Sequence, residues 1–196
     1  MTARRIVFAA IAMAMLAAPA IAALKIGDTA PDFRAEGSLG GKPVHFHLAE
    51  AEKKGPVVLY FYPSAYTGGC DIEAHTFADE ADKFAAAGAS IAGVSADNLA
   101  RLTRFSADPN FCAGKFPILS DESTRIAASY RLQVTPPVAG AKDVNGEEIG
   151  HGFIERFTYV IGKDGKIIAE FSSTTDHLTP DEHVDKALAI VQGIRK

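Results

Sequence analysis

Runs and alternations of apolar residues divide the chain into short segments. Val57-Val58-Leu59-Tyr60-Phe61-Tyr62 is a continuous apolar and aromatic run rich in β-formers, the pattern of a strand buried on both faces, and Pro63 ends it. Over residues 71–87, Ile72, Phe77, Ala81 and Phe84 recur at helical intervals, and Gly88 stands where a C-cap glycine belongs. The same reading predicts strands at 90–95 and 116–120 with a short helix near 98–105 between them, then a helix over 121–130. Segments 156–161 and 166–171 predict a hairpin around Gly162-Lys163-Asp164-Gly165. Thr179-Pro180-Asp181-Glu182 carries a capping box with proline at the first helical position, and Val184, Ala187, Leu188 and Val191 give the following helix one apolar face. Strands flanked by helices, ending in an antiparallel hairpin and a helix, predict an α/β sandwich.

Composition adds a class. The chain has 196 residues, 47% hydrophobic and 22% charged, which suits one globular domain, and no repeat, low-complexity tract or linker interrupts it. The first residues differ from the rest. Arg4-Arg5, an apolar stretch over 6–18 and the small residues Ala20-Ile21-Ala22 form a signal-peptide pattern, with cleavage expected after Ala22 and a domain over 23–196. The stretch is shorter than the roughly 20 residues a bilayer span needs, so a cleaved leader is expected in place of an anchor. Arg4-Arg5 lacks a surrounding twin-arginine consensus, so ordinary secretion to the periplasm or beyond is expected, without stable membrane association after cleavage. Loss of those two arginines leaves 18 basic against 24 acidic residues, a net charge of −6, which disfavours nucleic acid as a partner. His45 and His47 share a strand face with no third ligand nearby, so a solvated face is expected and no metal or cofactor.

The candidate chemistry centres on Cys70. With Thr67 as N-cap, Cys70 is the third helical residue, and its sulfur lies among unpaired backbone N–H groups at the positive end of the helix dipole. Such a position favours a thiolate. Moving a thiol pKa from about 8.5 to about 6 takes about 3.4 kcal/mol, whereas a helix terminus supplies about 0.3–1 kcal/mol, so a cation is expected to approach the sulfur. Asp71 repels a neighbouring thiolate and makes that cation more necessary.

Pro63-x-x-x-Thr67-x-x-Cys70 resembles the active-site signature of the peroxiredoxins, and Gly27-x-x-Ala30-Pro31-Asp32-Phe33 resembles their N-terminal motif. Arg156-Phe157-Thr158-Tyr159-Val160-Ile161-Gly162-Lys163-Asp164-Gly165-Lys166-Ile167 is similar to the strand-turn-strand that carries the family's active-site arginine. Glu73 and Phe77 resemble the subgroup related to bacterioferritin comigratory protein. The resemblance implies a thioredoxin-like fold, with a central mixed sheet flanked by helices, and a thiol-dependent peroxidase. It casts Cys70 as the thiolate that attacks a peroxide oxygen, Thr67 as a hydrogen-bond partner of the peroxide and Arg156 as stabiliser of thiolate and departing oxygen. Pro63 would shield the pocket, and the Cys70 backbone N–H would be a further donor. It also implies a thioredoxin-like or glutaredoxin-like reductant and a monomer or homodimer.

The subgroup often places a resolving cysteine five residues after the first, but here that position is His75. Cys112 lies near another resolving site known in the family, on a later helix, and an intramolecular Cys70–Cys112 disulfide is the expectation drawn from that resemblance. Two other readings stay open: an exported non-enzymatic domain stapled by a permanent Cys70–Cys112 disulfide, and a thioredoxin-fold disulfide oxidoreductase. The second normally uses Cys-x-x-Cys, whereas Cys70 is followed by Asp71, Ile72 and Glu73. Gly68 stands where relatives often have proline, which predicts a more flexible helix start. The stretch 136–152, with Gly140, Asn145-Gly146 and Gly150, is longer than in compact relatives and is expected to form an extra hairpin or a mobile loop over the site.

Overall fold

The computed structural model describes residues 22–194, so the expected leader over 1–22, apart from Ala22, lies outside the described residues. Nine strands and five helices follow one another in the order β1 (Arg34–Leu39), β2 (Lys42–His47), α1 (Leu48–Glu52), β3 (Val57–Phe61), α2 (Gly68–Ala86), β4 (Ser90–Ser95), α3 (Leu99–Ala107), β5 (Ile118–Ser120), α4 (Arg125–Ser129), β6 (Val134–Thr135), β7 (Phe153–Ile154), β8 (Phe157–Ile161), β9 (Ile167–Ser172) and α5 (Pro180–Ile194). Seven strands form one sheet in the order β2-β1-β5-β4-β3-β8-β9, with β3, β4 and β5 parallel and the others antiparallel to their neighbours. The architecture is the thioredoxin-like α/β fold, a mixed sheet with helices on both faces.

The apolar run at β3 explains its central place. All five residues are buried, and the strand's two-residue period sends them to opposite faces. Val58 and Tyr60 join Tyr62, Cys70, Phe77, Phe84, Cys112, Val184 and Leu188 in one core, between the sheet and helices α2 and α5. Val57, Leu59 and Phe61 join Leu48, Leu119, Tyr130, Tyr159 and Ile161 in the other. Opposite Tyr60 on β4 stands Gly93, where a Cβ would meet the Tyr60 ring at 2.6 Å, so only glycine lets the ring lie across the sheet.

The sequence boundaries shift where local hydrogen bonding intervenes. Helix α2 ends at Ala86, and Gly88 takes φ of +78°, as a C-cap glycine does. Helix α4 is only five residues long, against the expected 121–130, because Asp121 acts as its acceptor from outside. The Asp121 carboxylate takes the N–H groups of Ile126 (3.2 Å) and Ala127 (2.8 Å), while Thr124 sits at φ +55° and breaks the preceding turn. Strand β5 starts two residues late, after Pro117, which has no N–H to give to a ladder. Residues 136–152 form the extra hairpin, bracketed by the β6–β7 pair and closed by a Lys142–Glu148 bridge. His47 turns to Asp32 at 2.8 Å, and His45 lies 3.9 Å from Glu36.

Candidate active site

Strand β3, the six-residue connection 62–67 and helix α2 together carry Pro63, Thr67 and Cys70. Tyr62 N–H still bonds Val94 C=O at 3.1 Å, and the chain leaves the sheet at half-buried Pro63. Ser64 to Thr67 then cross to the start of α2. Thr67 is its N-cap by backbone conformation, with φ −128° and ψ 138°, which makes Cys70 the third helical residue as the spacing requires. The Thr67 side chain does not cap the helix. Its hydroxyl donates to Ser64 C=O at 2.7 Å and lies against the Cys70 sulfur, which the Ser64 backbone also faces.

Arg156, just before β8, supplies the cation that the energetic argument required. Its Nη2 donates to Cys70 Sγ at 3.2 Å, and its Nη1 makes an ion pair and hydrogen bond with Glu73, one helical turn beyond Cys70. Gly69 makes room for this contact, since a Cβ there would stand 3.3 Å from Arg156 Nη2 and 3.3 Å from Pro180 at the start of α5. Thus the start of α2 packs against both the guanidinium and the start of α5.

The first turn of α2 corrects one expectation. The Cys70 backbone N–H is not free for a substrate: it donates to Thr67 C=O at 2.8 Å, closing the first turn of the helix. The surroundings of the sulfur act on it in opposite directions. Burial pushes the Cys70 thiol up from its ordinary value, and Arg156, the Ser64 backbone and Thr67 pull it down without overcoming burial. Glu73 adds to the upward side, because its charge shares the guanidinium and opposes ionisation of the sulfur. Burial raises the Glu73 carboxyl itself to about 7, against the pull of Arg156. Asp71 is less of an obstacle than its sequence position implied. Burial raises its carboxyl to about 6, against the downward pull of the nearby Thr67 and Tyr66 backbone.

Cys112 lies in the turn between α3 and β5, completely buried, and not on a helix. Both cysteines are free thiols, and both belong to the same core on one face of the sheet. An aromatic knot joins their segments: Tyr66, beside Thr67, packs edge-on against Phe111 at 5.5 Å and Phe105 at 5.1 Å, and Phe105 stacks on Phe111 at 5.2 Å. Tyr66 holds φ of +58°, unusual for a residue with a side chain. His75 lies on the exposed face of α2, 3.4 Å from Asp79, away from the sulfur.

Pro63, Thr67, Cys70 and Arg156 are therefore assembled at the β3–α2 junction, while Cys112 occupies a separate turn packed on the same core. Sequence reasoning noticed Glu73 only as a point of resemblance. The signal for a larger role was present, because an acidic residue among Cys70, Ala74 and Phe77 on the buried face of a helix must find a partner.

Residues 26–170 match the AhpC/TSA family. The chain belongs to that family, the peroxiredoxins. It is 31% identical to peroxiredoxin Bcp of Bacillus subtilis over 172 residues, covering 87% of this chain and 97% of that protein. The crystal structure of peroxidoxin BcpB from Mycobacterium tuberculosis superposes with a TM-score of 0.72 at 33% identity, covering 88% of this chain and 99% of that one. The bacterioferritin comigratory protein of Xanthomonas campestris, whose structure is described in connection with alkyl peroxide reduction, gives a TM-score of 0.62 at 26% identity. That match covers 82% of this chain and 92% of its own. This peroxiredoxin is accordingly a thiol-dependent peroxidase, an oxidoreductase of the Bcp and peroxiredoxin Q type.

Proposed function

We propose that the enzyme reduces hydrogen peroxide and organic hydroperoxides outside the cytoplasm, with Cys70 as the peroxidatic residue and Cys112 as its intramolecular resolving partner. The observation that carries the reading is Arg156 Nη2 at 3.2 Å from Cys70 Sγ at the first turn of a helix. The sulfur attacks one peroxide oxygen as the thiolate, the O–O bond breaks, and the proton given up by the thiol ends on the departing oxygen. Cys70–SH and ROOH thus become Cys70–SOH and ROH. Arg156 stabilises the charge as it moves from sulfur to oxygen, and its two forked donors allow it to serve the reacting atoms while holding Glu73. Burial works against the Glu73 charge, which weakens its claim on the guanidinium and leaves more of that charge to the sulfur. Thr67 offers a hydroxyl beside the sulfur and Pro63 limits water.

Resolution follows by attack of the Cys112 sulfur on the sulfenic acid, which forms the disulfide and releases water, and a thioredoxin-like or glutaredoxin-like dithiol then restores both thiols. Burial pushes the Cys112 thiol well up, so its segment has to open before it can react. The leader pattern of Arg4-Arg5, the apolar stretch over 6–18 and Ala20-Ile21-Ala22 motivates the exported location. Stoichiometric peroxide loss tests the first step. Cys70→Ser is expected to abolish it, and an unaffected rate would eliminate the mechanism. Cys112→Ser is expected to react once and to accumulate sulfenic acid with no internal bridge. Mass spectrometry of the oxidised wild type showing a bridge that omits Cys112 would refute its role.

A further inference from the structure

The loop Ser64 to Tyr66 is held from outside by a buried charge cluster that the peroxidase chemistry does not itself use. Asp97, at the end of β4 and fully buried, accepts the Ala65 N–H (2.8 Å), the Ser64 hydroxyl (2.9 Å) and the Ser95 hydroxyl (2.8 Å). Arg101 of α3 donates through one Nη2 to Ala65 C=O (3.0 Å) and to Asp143 of the 136–152 hairpin (2.7 Å), and its Nε lies 3.0 Å from Asp97. Both polar backbone groups of Ala65 are therefore committed to this cluster. The next residue is also tied, because Val144 N–H of the hairpin donates to Tyr66 C=O at 3.0 Å. Ser64 C=O in turn receives the Thr67 hydroxyl, so the position of the hydroxyl beside Cys70 depends on where the cluster fixes Ser64.

His151 completes the arrangement from the far end of the hairpin. Its Nε2 lies 2.8 Å from Asp97 Oδ1 and its Nδ1 lies 2.9 Å from Gly152 C=O. Both ring nitrogens face oxygen acceptors, a pattern that only the doubly protonated imidazolium satisfies. With His151 charged, the cluster holds two cations, His151 and Arg101, against two buried anions, Asp97 and Asp143. We infer that His151 and Asp143 are positioning residues for peroxide reduction: the hairpin clamps Ser64 to Tyr66 through Asp97 and Arg101, and the clamp is complete only while His151 is protonated. The inference rests on Cys70 as the peroxidatic residue.

The charges around His151 set the direction of its response. Arg101 and Arg104 approach from α3, Asp97 from the end of β4, Glu122 from the turn before α4, and Asp143, Glu147 and Glu148 from the hairpin itself. Burial lowers the His151 pKa, but the hydrogen bonds to Asp97 and Gly152 outweigh it and the net direction is upward. A raised histidine contributes fully below its unfolded value, and the contribution is lost as pH rises through the folded value. The clamp therefore loosens on the alkaline side.

Stopped-flow measurement of the peroxide reaction across pH tests this. Divided by the thiolate fraction of Cys70, followed by its absorbance, the wild-type rate constant is expected to decline as pH rises through the His151 titration. His151→Gln is expected to react about tenfold more slowly at neutral pH and to lack the decline, and Asp143→Asn to be slowed similarly while keeping it, a loss in keeping with misplacement from a distance. The protection factor of the Ala65 amide in the wild-type protein, with the intrinsic base-catalysed rate divided out, is expected to fall over the same alkaline range. A His151→Gln profile that superimposes on wild type, or Ala65 protection that does not change with pH, would overturn the inference. If wild-type enzyme consumed no peroxide, the assignment of Cys70 would fall, and the Ala65 exchange would still decide for or against the clamp.

Discussion

Replacement of Arg156 by lysine isolates what the forked guanidinium contributes. In the wild-type protein one nitrogen reaches Cys70 Sγ at 3.2 Å while another holds Glu73, a side chain with no exposure to solvent. A lysine ammonium is a single point charge and cannot take both positions at once. Either the developing charge at the sulfur loses a charge-assisted hydrogen bond, or Glu73 keeps its charge unpaired and draws the ammonium away. A hydrogen bond to a charged group is worth about 1.5–3 kcal/mol, and its loss from the transition state corresponds to a rate reduction of roughly 10- to 150-fold. The chain has no tryptophan, so the reaction is best followed by thiolate absorbance or by competition with a second peroxidase of known rate. Folding should survive, since Arg156→Lys preserves the charge near Glu73, and a thermal scan checks this. A second-order rate constant within twofold of wild type, in a folded protein, would refute the argument that two simultaneous donors are needed.

Gly68→Pro is expected to stabilise the protein by about 0.4–1 kcal/mol by restricting the unfolded chain, raising the thermal midpoint by about 1–4 °C. Position 68 is the first helical residue, a Cβ there meets nothing within 4 Å, and Thr67 already holds the extended conformation that precedes proline. A lowered midpoint in the thermal scan would show that the loop needs the glycine. His183 is fully buried between Thr158 (3.0 Å) and Ser173 (3.0 Å), and burial lowers its pKa to about 4. Its neutral form is favoured in the folded state, so stability should fall as pH drops from about 6.5 toward about 4, by about 3 kcal/mol in all. Urea titrations of wild type and His183→Gln across that range are expected to differ in slope, and parallel curves would contradict the assignment.

Much of the scaffold was legible because β3, α2 and α5 carry strong periodicity and clear end signals. Thr67, Gly88 and Thr179-Pro180 set boundaries that the structure keeps within a residue or two. The helix over 121–130 was overcalled because Asp121 resembles a helix-start residue, and its carboxylate does cap α4, but from four residues before the helix begins. In the site, the order of Pro63, Thr67, Cys70 and Arg156 was enough to assemble the residues, whereas the electrostatic state of the sulfur's surroundings was not. That state depends on how deeply Cys70 is buried and on Glu73 competing for the same guanidinium, neither of which the motif spells out. The hairpin was visible as a long Gly-rich insertion, but its attachment to Ala65 through Arg101 and Asp143 joins positions far apart in sequence and leaves no local pattern.

The alternation along β3 divides the interior into two compartments with different freedoms. Residues under Val58 and Tyr60 share their packing with both sulfurs, so a methyl gained or lost there changes the reagent as well as the framework. On the reverse side, Leu59, Tyr130 and Tyr159 touch no thiol, which leaves a region where tolerance to heat can drift during evolution, or be engineered, while reactivity toward peroxide stays as it was.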